Sequence, residues 1–377
     1  MTTASGERDI GIVIVGTGWG ALTHVPALQR GGFDIKAMVG TDAARTRQRA
    51  TASGINTSST DLDEALALPG VEAVVIATPP ATHAELVLTA LRHGKHVLCE
   101  KPFSTGIDDA RTMVTAAEQA GVVHAVGHEM RWVPQQAAMT AAIQAGRIGT
   151  PTFATYLKVN GVLAGSDATV PDWFGRRSEF GGWLNAELQH VIDEVRTSLG
   201  EFVSVTALET SATIHDWDAS ESFAVQFELA GGVVGVIQSS VGTFGPPVSL
   251  TRISGTEGTV WISPENDVML AGKNGATERL PVDSASSMPH GGPIEAPAEV
   301  HGDTTLSRSL ARATARFAEP TRRLYKAFRA SILSDDGDVG DPALPTFRDG
   351  LANTAVHEAV RRSIGTGATC AVAEVLA

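Results

Sequence analysis

A strand-like run, Ile12-Val13-Ile14-Val15, empties into Gly16-Thr17-Gly18-Trp19-Gly20-Ala21 close to the start of the chain. Few folds accept that arrangement. Four consecutive β-branched residues suit a buried strand better than a helix. Gly16 permits a tight turn, Gly18 lets the backbone approach a pyrophosphate, and Ala21 stands where a small residue lets the next helix pack closely. The free N–H groups at the start of that helix favour phosphate. A glycine turn alone is a weak signal, but the strand before it and the helix after it make it a dinucleotide site. Gly16, Thr17, Gly18, Trp19 and Gly20 are the cofactor contacts expected here.

Strand and helix signals go on alternating. Thr23 to Gln29 has helical spacing, Ile35 to Val39 reads as a strand, and Asp42 to Ser53 as a helix closed by Gly54. Ala73 to Ala77 is a strand stopped by Thr78-Pro79-Pro80, and Ala84 to Arg92 is a helix ending at Gly94. His96 to Cys99, Asp108 to Gln119 and Val122 to Val126 read as strand, helix and strand. This alternation predicts an α/β domain over residues 1–127: a Rossmann, doubly wound parallel sheet that binds ligands beyond the carboxyl ends of its strands.

The pattern changes after Gly127. Arg131 to Ala145 reads as a connecting helix, Thr152 to Asn160 as a strand and Gly182 to Leu199 as a helix. Five strand-like stretches then follow without intervening helices: Val203 to Leu208, Phe223 to Leu229, Val233 to Ser240, Ser249 to Ser254 and Thr259 to Ile262. Ala230-Gly231-Gly232 marks a hairpin. Residues 128–377 are therefore expected to form an α+β substrate-binding and oligomerisation domain with a large, mostly antiparallel sheet. Ser263 to Asp303 reads as an irregular excursion, Leu306 to Leu333 as a helix and Ser334 to Pro345 as an acidic linker. Arg348 to Ile364 is a last helix, closed by Gly365 and free to return to the first domain.

Length supports two domains, since 377 residues exceed what one compact core holds. A formal net charge of −13 argues against nucleic acid or an anionic membrane as partner. Cys99 and Cys370 are too few for a disulfide framework, and no clustered His/Cys pattern indicates a metal. The polar stretch Met1 to Asp9 lacks the apolar core of a signal peptide, and no apolar run approaches membrane-spanning length. A cytoplasmic protein acting on a small molecule is expected.

Several residues carry candidate chemistry. Readers of NAD usually place an acid about 20 residues beyond the glycines, to grip the ribose diol. Here the strand ends in Gly40-Thr41-Asp42, with Arg45 and Arg47 behind. A glycine repels no 2′-phosphate and an arginine can pair with one, which leans toward NADP over NAD, with Asp42 as a displaced acid in the other reading. Thr41 and Arg45 join the expected cofactor contacts. Thr78-Pro79 ends a buried strand on the ligand side, and His83 after it either contacts the cofactor or caps its helix. Glu100-Lys101-Pro102 follows the next strand. Lys101 is the expected proton donor or charge partner of a reacting carbon–oxygen bond, held by Glu100. The plainer reading of Lys101 is a surface ion pair. Farther on, helical spacing sets Ala186, Glu187 and Asp193 beside His190, whose imidazole suits a general base near neutral pH.

These residues resemble the Gfo/Idh/MocA oxidoreductases, named for glucose–fructose oxidoreductase and inositol dehydrogenase. The matching blocks are GTGWGALTHVPAL (Gly16 to Leu28), VEAVVIATPPATH (Val71 to His83), GKHVLCEKPF (Gly94 to Phe103), VGHEMRWVP (Val126 to Pro134), Gly181 to Asp193, and PTFRDG (Pro345 to Gly350). The resemblance implies a nicotinamide cofactor held by Gly16, Gly18, Thr78, Pro79, Glu100 and Lys101. It implies Lys101 near the transferred hydride, His190 as acid/base, an open sheet that commonly makes homodimers or homotetramers, and sugars or cyclitols as substrates.

The chain departs from that pattern on the catalytic helix. Family dehydrogenases often carry Asp four residues before the His and Gly two before it; here those positions are Ala186 and Leu188. Glu187, Glu129 or Arg131 could supply the missing substrate contact, with Trp173 in a loop over the substrate. Trp183 and Leu188 would make the pocket bulkier and more apolar. Hydride transfer between nicotinamide and a ring carbinol or ketone is the expected activity. The alternatives are a redox-neutral enzyme that recycles a tightly bound NAD(P), as in glycoside cleavage or epimerisation, and a non-catalytic dinucleotide-binding protein.

Overall fold

The computed structural model describes residues 8–18, 20–211, 214–282, 304–334 and 344–377. Its contacts divide the chain into two units. The first takes the described residues up to Trp132 and returns for Ser307–Leu351; the second takes the remainder. The stretch 307–351 thus groups with the first unit; the sequence reading put the break at residue 127 with the C-terminal helix free to return to the first domain.

In the first unit, β1 (Ile10–Val15) leads to a π-helical turn, Gly20–His24, and then α1 (Val25–Gln29). There follow β2 (Phe33–Val39), α2 (Ala43–Ala52), β3 (Ser58–Ser59), α3 (Leu62–Leu66), β4 (Ala73–Ile76), α4 (His83–Arg92), β5 (His96–Cys99), α5 (Ile107–Ala120) and β6 (His124–Val126). The sheet runs β3-β2-β1-β4-β5-β6 with every neighbour parallel. Strand order reverses between β1 and β4, the switch point at which such sheets open a crevice. The two-residue strand β3 and the short helix α3 carry too few residues for a periodic signal and were not anticipated.

Both faces of this sheet are buried, as parallel sheets require. Because side chains alternate along a strand, Ile10, Ile12 and Ile14 of β1 enter one core cluster while Val13 and Val15 enter the other. The tail of the chain completes both. Helix α8 (Thr305–Leu333), numbered after the second-unit elements given below, supplies Leu324, Tyr325 and Phe328 to the first cluster. Phe347, which begins α9 (Phe347–Thr366), packs against Phe103 in the second, ring centroids 4.7 Å apart.

The second unit opens with α6 (Pro134–Gln144) and β7 (Pro151–Val159), then α7 (Trp183–Leu199) and β8 (Phe202–Thr210). Six strands follow: β9 (Ser222–Leu229), β10 (Val234–Ser240), β11 (Val248–Gly255), β12 (Gly258–Ile262), β13 (Val268–Gly272) and β14 (Thr277–Arg279). Near the end of the chain come β15 (Cys370–Ala371) and α10 (Ala373–Leu376). Sheet order is β14-β13-β12-β11-β7-β10-β9-β8-β15. Its pairings are antiparallel except β7 with β10. The sheet is therefore mixed but mostly antiparallel.

Three sequence expectations are corrected here. The region after Ser263 contains the strands β13 and β14 before the described residues stop, so its first part is ordered hairpin and not excursion. The helix expected from Arg131 is a 3-10 turn, Glu129–Trp132, followed by α6, because Pro134 lacks an N–H and takes the first helical turn. The last helix runs through Gly365 to Thr366, where Gly367 with φ +70 ends it. Among the described residues no helix is long and apolar enough to cross a membrane.

Truncating α8 tests its place in the first core. Phe328 is fully buried and stacks on Phe33 at 6.3 Å. Phe328→Ala is expected to cost about 3–5 kcal/mol in denaturant unfolding; a cost below about 1 kcal/mol would show that α8 does not complete this core.

Candidate active site

The crevice of the first unit is built by the ends of β1, β4, β5 and β6. Gly16 has φ +120, and a Cβ there would lie 2.2 Å from the Ala77 carbonyl oxygen. Only glycine allows the β1 turn to close on the end of β4 in this way. Gly18 is the reverse case, for a Cβ there would meet no atom within 4 Å. Its backbone is open to a ligand, and the cradle fits a dinucleotide pyrophosphate. Thr17 lies beside it, its carbonyl accepting from the Arg49 guanidinium. Trp19 lies outside the described residues.

At the end of β2, Gly40 packs where a Cβ would press on Thr46 Oγ1 at 2.5 Å and Thr17 Cγ2 at 2.6 Å. Asp42 caps α2 by accepting the Arg45 N–H at 2.7 Å. Thr41, Arg45 and Arg47 are exposed. Across the switch point, Thr78 Oγ1 lies 2.7 Å from Thr82 Oγ1, whose hydroxyl also donates to the Pro79 carbonyl at 2.9 Å. His83 is fully buried, with its ring nitrogens 2.9 Å from the carbonyls of Pro102 and Thr78. Burial pulls its pKa down. Its ring ties the loop after β4 to the loop after β5 and so holds the walls of the crevice together.

Lys101 stands two residues beyond the end of β5, and its N–H donates to Glu100 Oε2 at 3.0 Å. Glu100 is buried. Burial pushes its carboxyl up, but a hydrogen bond from His24 and the nearby His24 and Lys101 charges outweigh that and leave it below the usual range. The carboxylate therefore stays ionised beside the lysine. Glu129 and Arg131 are also buried in this unit, and Arg131 pairs with Asp349 of the PTFRDG block at 3.2 Å. That pair anchors the start of α9.

In the second unit α7 carries His190, the candidate acid/base. At about 100° per residue, Trp183, Glu187, His190 and Glu194 form one column along the helix. The column faces β7 and β10. Trp183 Nε1 donates to Ser239 Oγ at 2.8 Å, and Lys158 pairs with Glu187 at 2.7 Å while lying over the Trp183 ring. Ala186 sits one turn before His190 with no carboxylate, whereas Glu187 has one and neutralises it on Lys158. Asp193 is buried off the column and accepts from Asn353 at 3.4 Å. Leu188 is also fully buried, about 200° round the helix from His190. Trp173 stands in a loop folded against the start of α7, where a Cβ on Gly181 would meet the Trp173 carbonyl at 2.4 Å.

Sequence reasoning missed three charged or polar groups here: Lys158, His24 and Glu194. Nothing in the spacing of β7 marked Lys158, because its partner lies 29 residues away. Glu194 was visible as the residue one turn beyond His190. Burial pushes its carboxyl up to about 8, with Lys158 opposing, Glu187 and Asp193 adding, and Gln136 opposing.

Comparison with known proteins places both units. A profile described as an oxidoreductase family with an NAD-binding Rossmann fold matches residues 10–128. A GFO/IDH/MocA C-terminal domain profile matches residues 137–261. The chain is 32% identical over 279 residues to a 1,5-anhydro-D-fructose reductase of Ensifer adhaerens, covering 70% of this chain and 79% of that one. It is 30% identical to an inositol 2-dehydrogenase of Rubrobacter xylanophilus, over 73% and 77% of the two chains. Among solved structures, an Agrobacterium radiobacter oxidoreductase in complex with NAD+, L-tartaric acid and magnesium superposes with a TM-score of 0.80 at 22% identity, covering 97% and 99%. A levoglucosan dehydrogenase complex with NADH and levoglucosan does so at 0.78 and 21%, with the same coverage. Such structures share the fold.

The Glu194 carboxyl gives a pH test. Unfolded, it ionises near 4.5; folded, it keeps its proton up to about 8. Between those values the folded state binds more protons, so this group makes stability fall as pH rises. Glu194→Gln should therefore raise Tm by a few degrees near about pH 8 and barely change it near about pH 4. An equal Tm change at both pH values would show that this carboxyl does not hold its proton in the fold.

Proposed function

The chain belongs to the Gfo/Idh/MocA oxidoreductases, and from that premise we propose that it moves hydride between NAD(P) and a ring carbinol or ketone of a sugar, cyclitol, glycoside or related cyclic compound. The observation that carries this reading is Lys101 beyond the carboxyl end of β5, on the side of the sheet where Gly16 closes the turn and Gly18 leaves the backbone open. Relatives named for a sugar derivative and for inositol support the substrate class.

Gly16, Thr17, Gly18 and Gly20 would hold the pyrophosphate, with Thr78 and Pro79 bordering the nicotinamide ribose. Nicotinamide supplies a hydride acceptor or donor. Lys101 holds negative charge as it develops on the substrate oxygen, and Glu100 fixes the backbone from which the ammonium projects. His190 takes the hydroxyl proton on oxidation and returns it on reduction. Glu187, paired with Lys158 and one turn before His190, takes the place left empty by Ala186 in orienting the imidazole or a substrate hydroxyl. Trp183 and Trp173 add apolar surface for a sugar ring.

For the cofactor we read NADP ahead of NAD. No side chain stands at Gly40, Asp42 is engaged by its own helix, and Arg45 and Arg47 are exposed for a 2′-phosphate. Self-association is supported by the outer face of the second sheet, where Phe153 and Val234 are neighbours, each 47% exposed, and Leu208 is 70% exposed.

Two experiments test the reading. Lys101→Ala should lose about 10²–10⁴ in kcat on polyols, glycosides and cyclic ketones while still binding cofactor; undiminished turnover would remove the lysine from the mechanism. Fluorescence titration with NADPH and NADH should show tighter NADPH binding, and Arg45→Ala should weaken NADPH alone by about tenfold. Tighter NADH binding would return Asp42 to the role of ribose acid.

A further inference from the structure

Three buried polar groups from distant parts of the chain line up behind Lys101. Tyr325, on α8, is fully buried, and its phenol oxygen lies 2.6 Å from His24 Nδ1. His24 ends the π-helical turn after the glycine loop and is itself buried, with Nε2 3.0 Å from Glu100 Oε1. The other carboxylate oxygen, Oε2, accepts the Lys101 N–H at 3.0 Å. Backbone closes the remaining side, for a Cβ on Gly127 would meet Glu100 Oε1 at 2.4 Å.

Donor and acceptor chemistry limits the order of this chain. An ionised carboxylate only accepts, so a hydrogen on His24 Nε2 suits this close contact, which falls short of full hydrogen-bond geometry. With hydrogen on Nε2 alone, Nδ1 accepts from the phenol; with hydrogen on both nitrogens, Nδ1 donates to the phenol oxygen. Burial, with the charges of Glu100 and Glu129, pushes the Tyr325 hydroxyl well above its ordinary value, so it remains a donor. Edge-on packing of the two rings, centroids 5.8 Å apart, leaves the imidazole little freedom to turn.

We propose that Tyr325 is a positioning residue for hydride transfer: through His24 it fixes the Glu100 carboxylate, and that carboxylate fixes the backbone from which Lys101 projects. The proposal deepens the reading of Lys101 given above and rests on it. It makes α8, an element without a cofactor motif, part of the machinery of the first unit. Removal of the phenol O–H leaves His24 able to flip or change tautomer, and the carboxylate then loses its fixed neighbour.

Tyr325→Phe keeps the ring in the core and removes one hydroxyl. With NADPH and 1,5-anhydro-D-fructose as the first probe, kcat should fall about tenfold while KM for the sugar and Kd for NADPH move less than about threefold. Because the effect runs through Lys101, adding Tyr325→Phe to Lys101→Ala should lower kcat no further. A purely structural role would multiply the two losses, and that result, or a wild-type kcat, would overturn the relay. His24→Gln, which keeps a donor toward Glu100 but loses the Tyr325 contact, should behave as Tyr325→Phe does and serves if the latter folds poorly. A readout independent of turnover is 15N NMR of the imidazoles. Wild type should show His24 as a single form with hydrogen on Nε2, and Tyr325→Phe a mixture. Hydrogen on Nδ1 alone in the wild type would refute the chain from Tyr325 to Glu100. Full turnover in Lys101→Ala alone would refute the functional reading instead, so the two failures are distinguishable.

Discussion

The contact of Gly16 with the Ala77 carbonyl, closer than any side chain permits, sets the geometry of the first unit. It joins the end of β1 to the end of β4 at the point where strand order reverses. Everything with a candidate role in cofactor binding in that unit is placed relative to this closure. The Gly18 backbone is left open on one side of it, and Thr78 and Pro79 emerge on the other. Ile76 then accepts the Glu100 N–H at 2.8 Å, which carries the same alignment across to Lys101.

Polar groups buried behind the crevice keep its walls in register. His83 spans the carbonyls of Thr78 and Pro102, and Arg131 reaches Asp349. Glu100 is held by His24 and by the Lys101 N–H. Each is a side chain spent on positioning backbone, and each is fully or nearly fully removed from water. Such groups are costly to bury unless satisfied, and here their partners are loops that must not move. The second unit uses a different device: one column of α7 presents His190 between Glu187, neutralised by Lys158, and Glu194, which keeps its proton.

Much of this was legible in order along the chain. The β-branched run of β1, the glycine turn and the repeated strand–helix alternation predicted the parallel sheet, and the unbroken series of strands after α7 predicted the second. Lys101 and His190 stood out as candidates because each stands in a dense local pattern. What the sequence left open has a common physical origin. His83 was read as either a cofactor contact or a helix cap, because sequence shows which strand end it follows but not that both ring nitrogens meet carbonyls. Leu188 was read as making the pocket more apolar because it stands where the family often has Gly; the structure buries it fully, about 200° round the helix from His190. β13 and β14 hid in a segment rich in turn formers, where pairing partners decide the outcome.

What the sequence determined by itself is the local grammar: periodicity, caps, glycines forced by positive φ, and the residue types that carry candidate chemistry. Those are set by interactions among near neighbours, which a linear pattern records. Only the tertiary structure decided that Tyr325 meets His24, that Lys158 meets Glu187, and that residues 307–351 complete the first core. These are contacts between residues far apart in the chain, chosen by packing and by the need of buried polar groups for partners, and no spacing in the sequence encodes them.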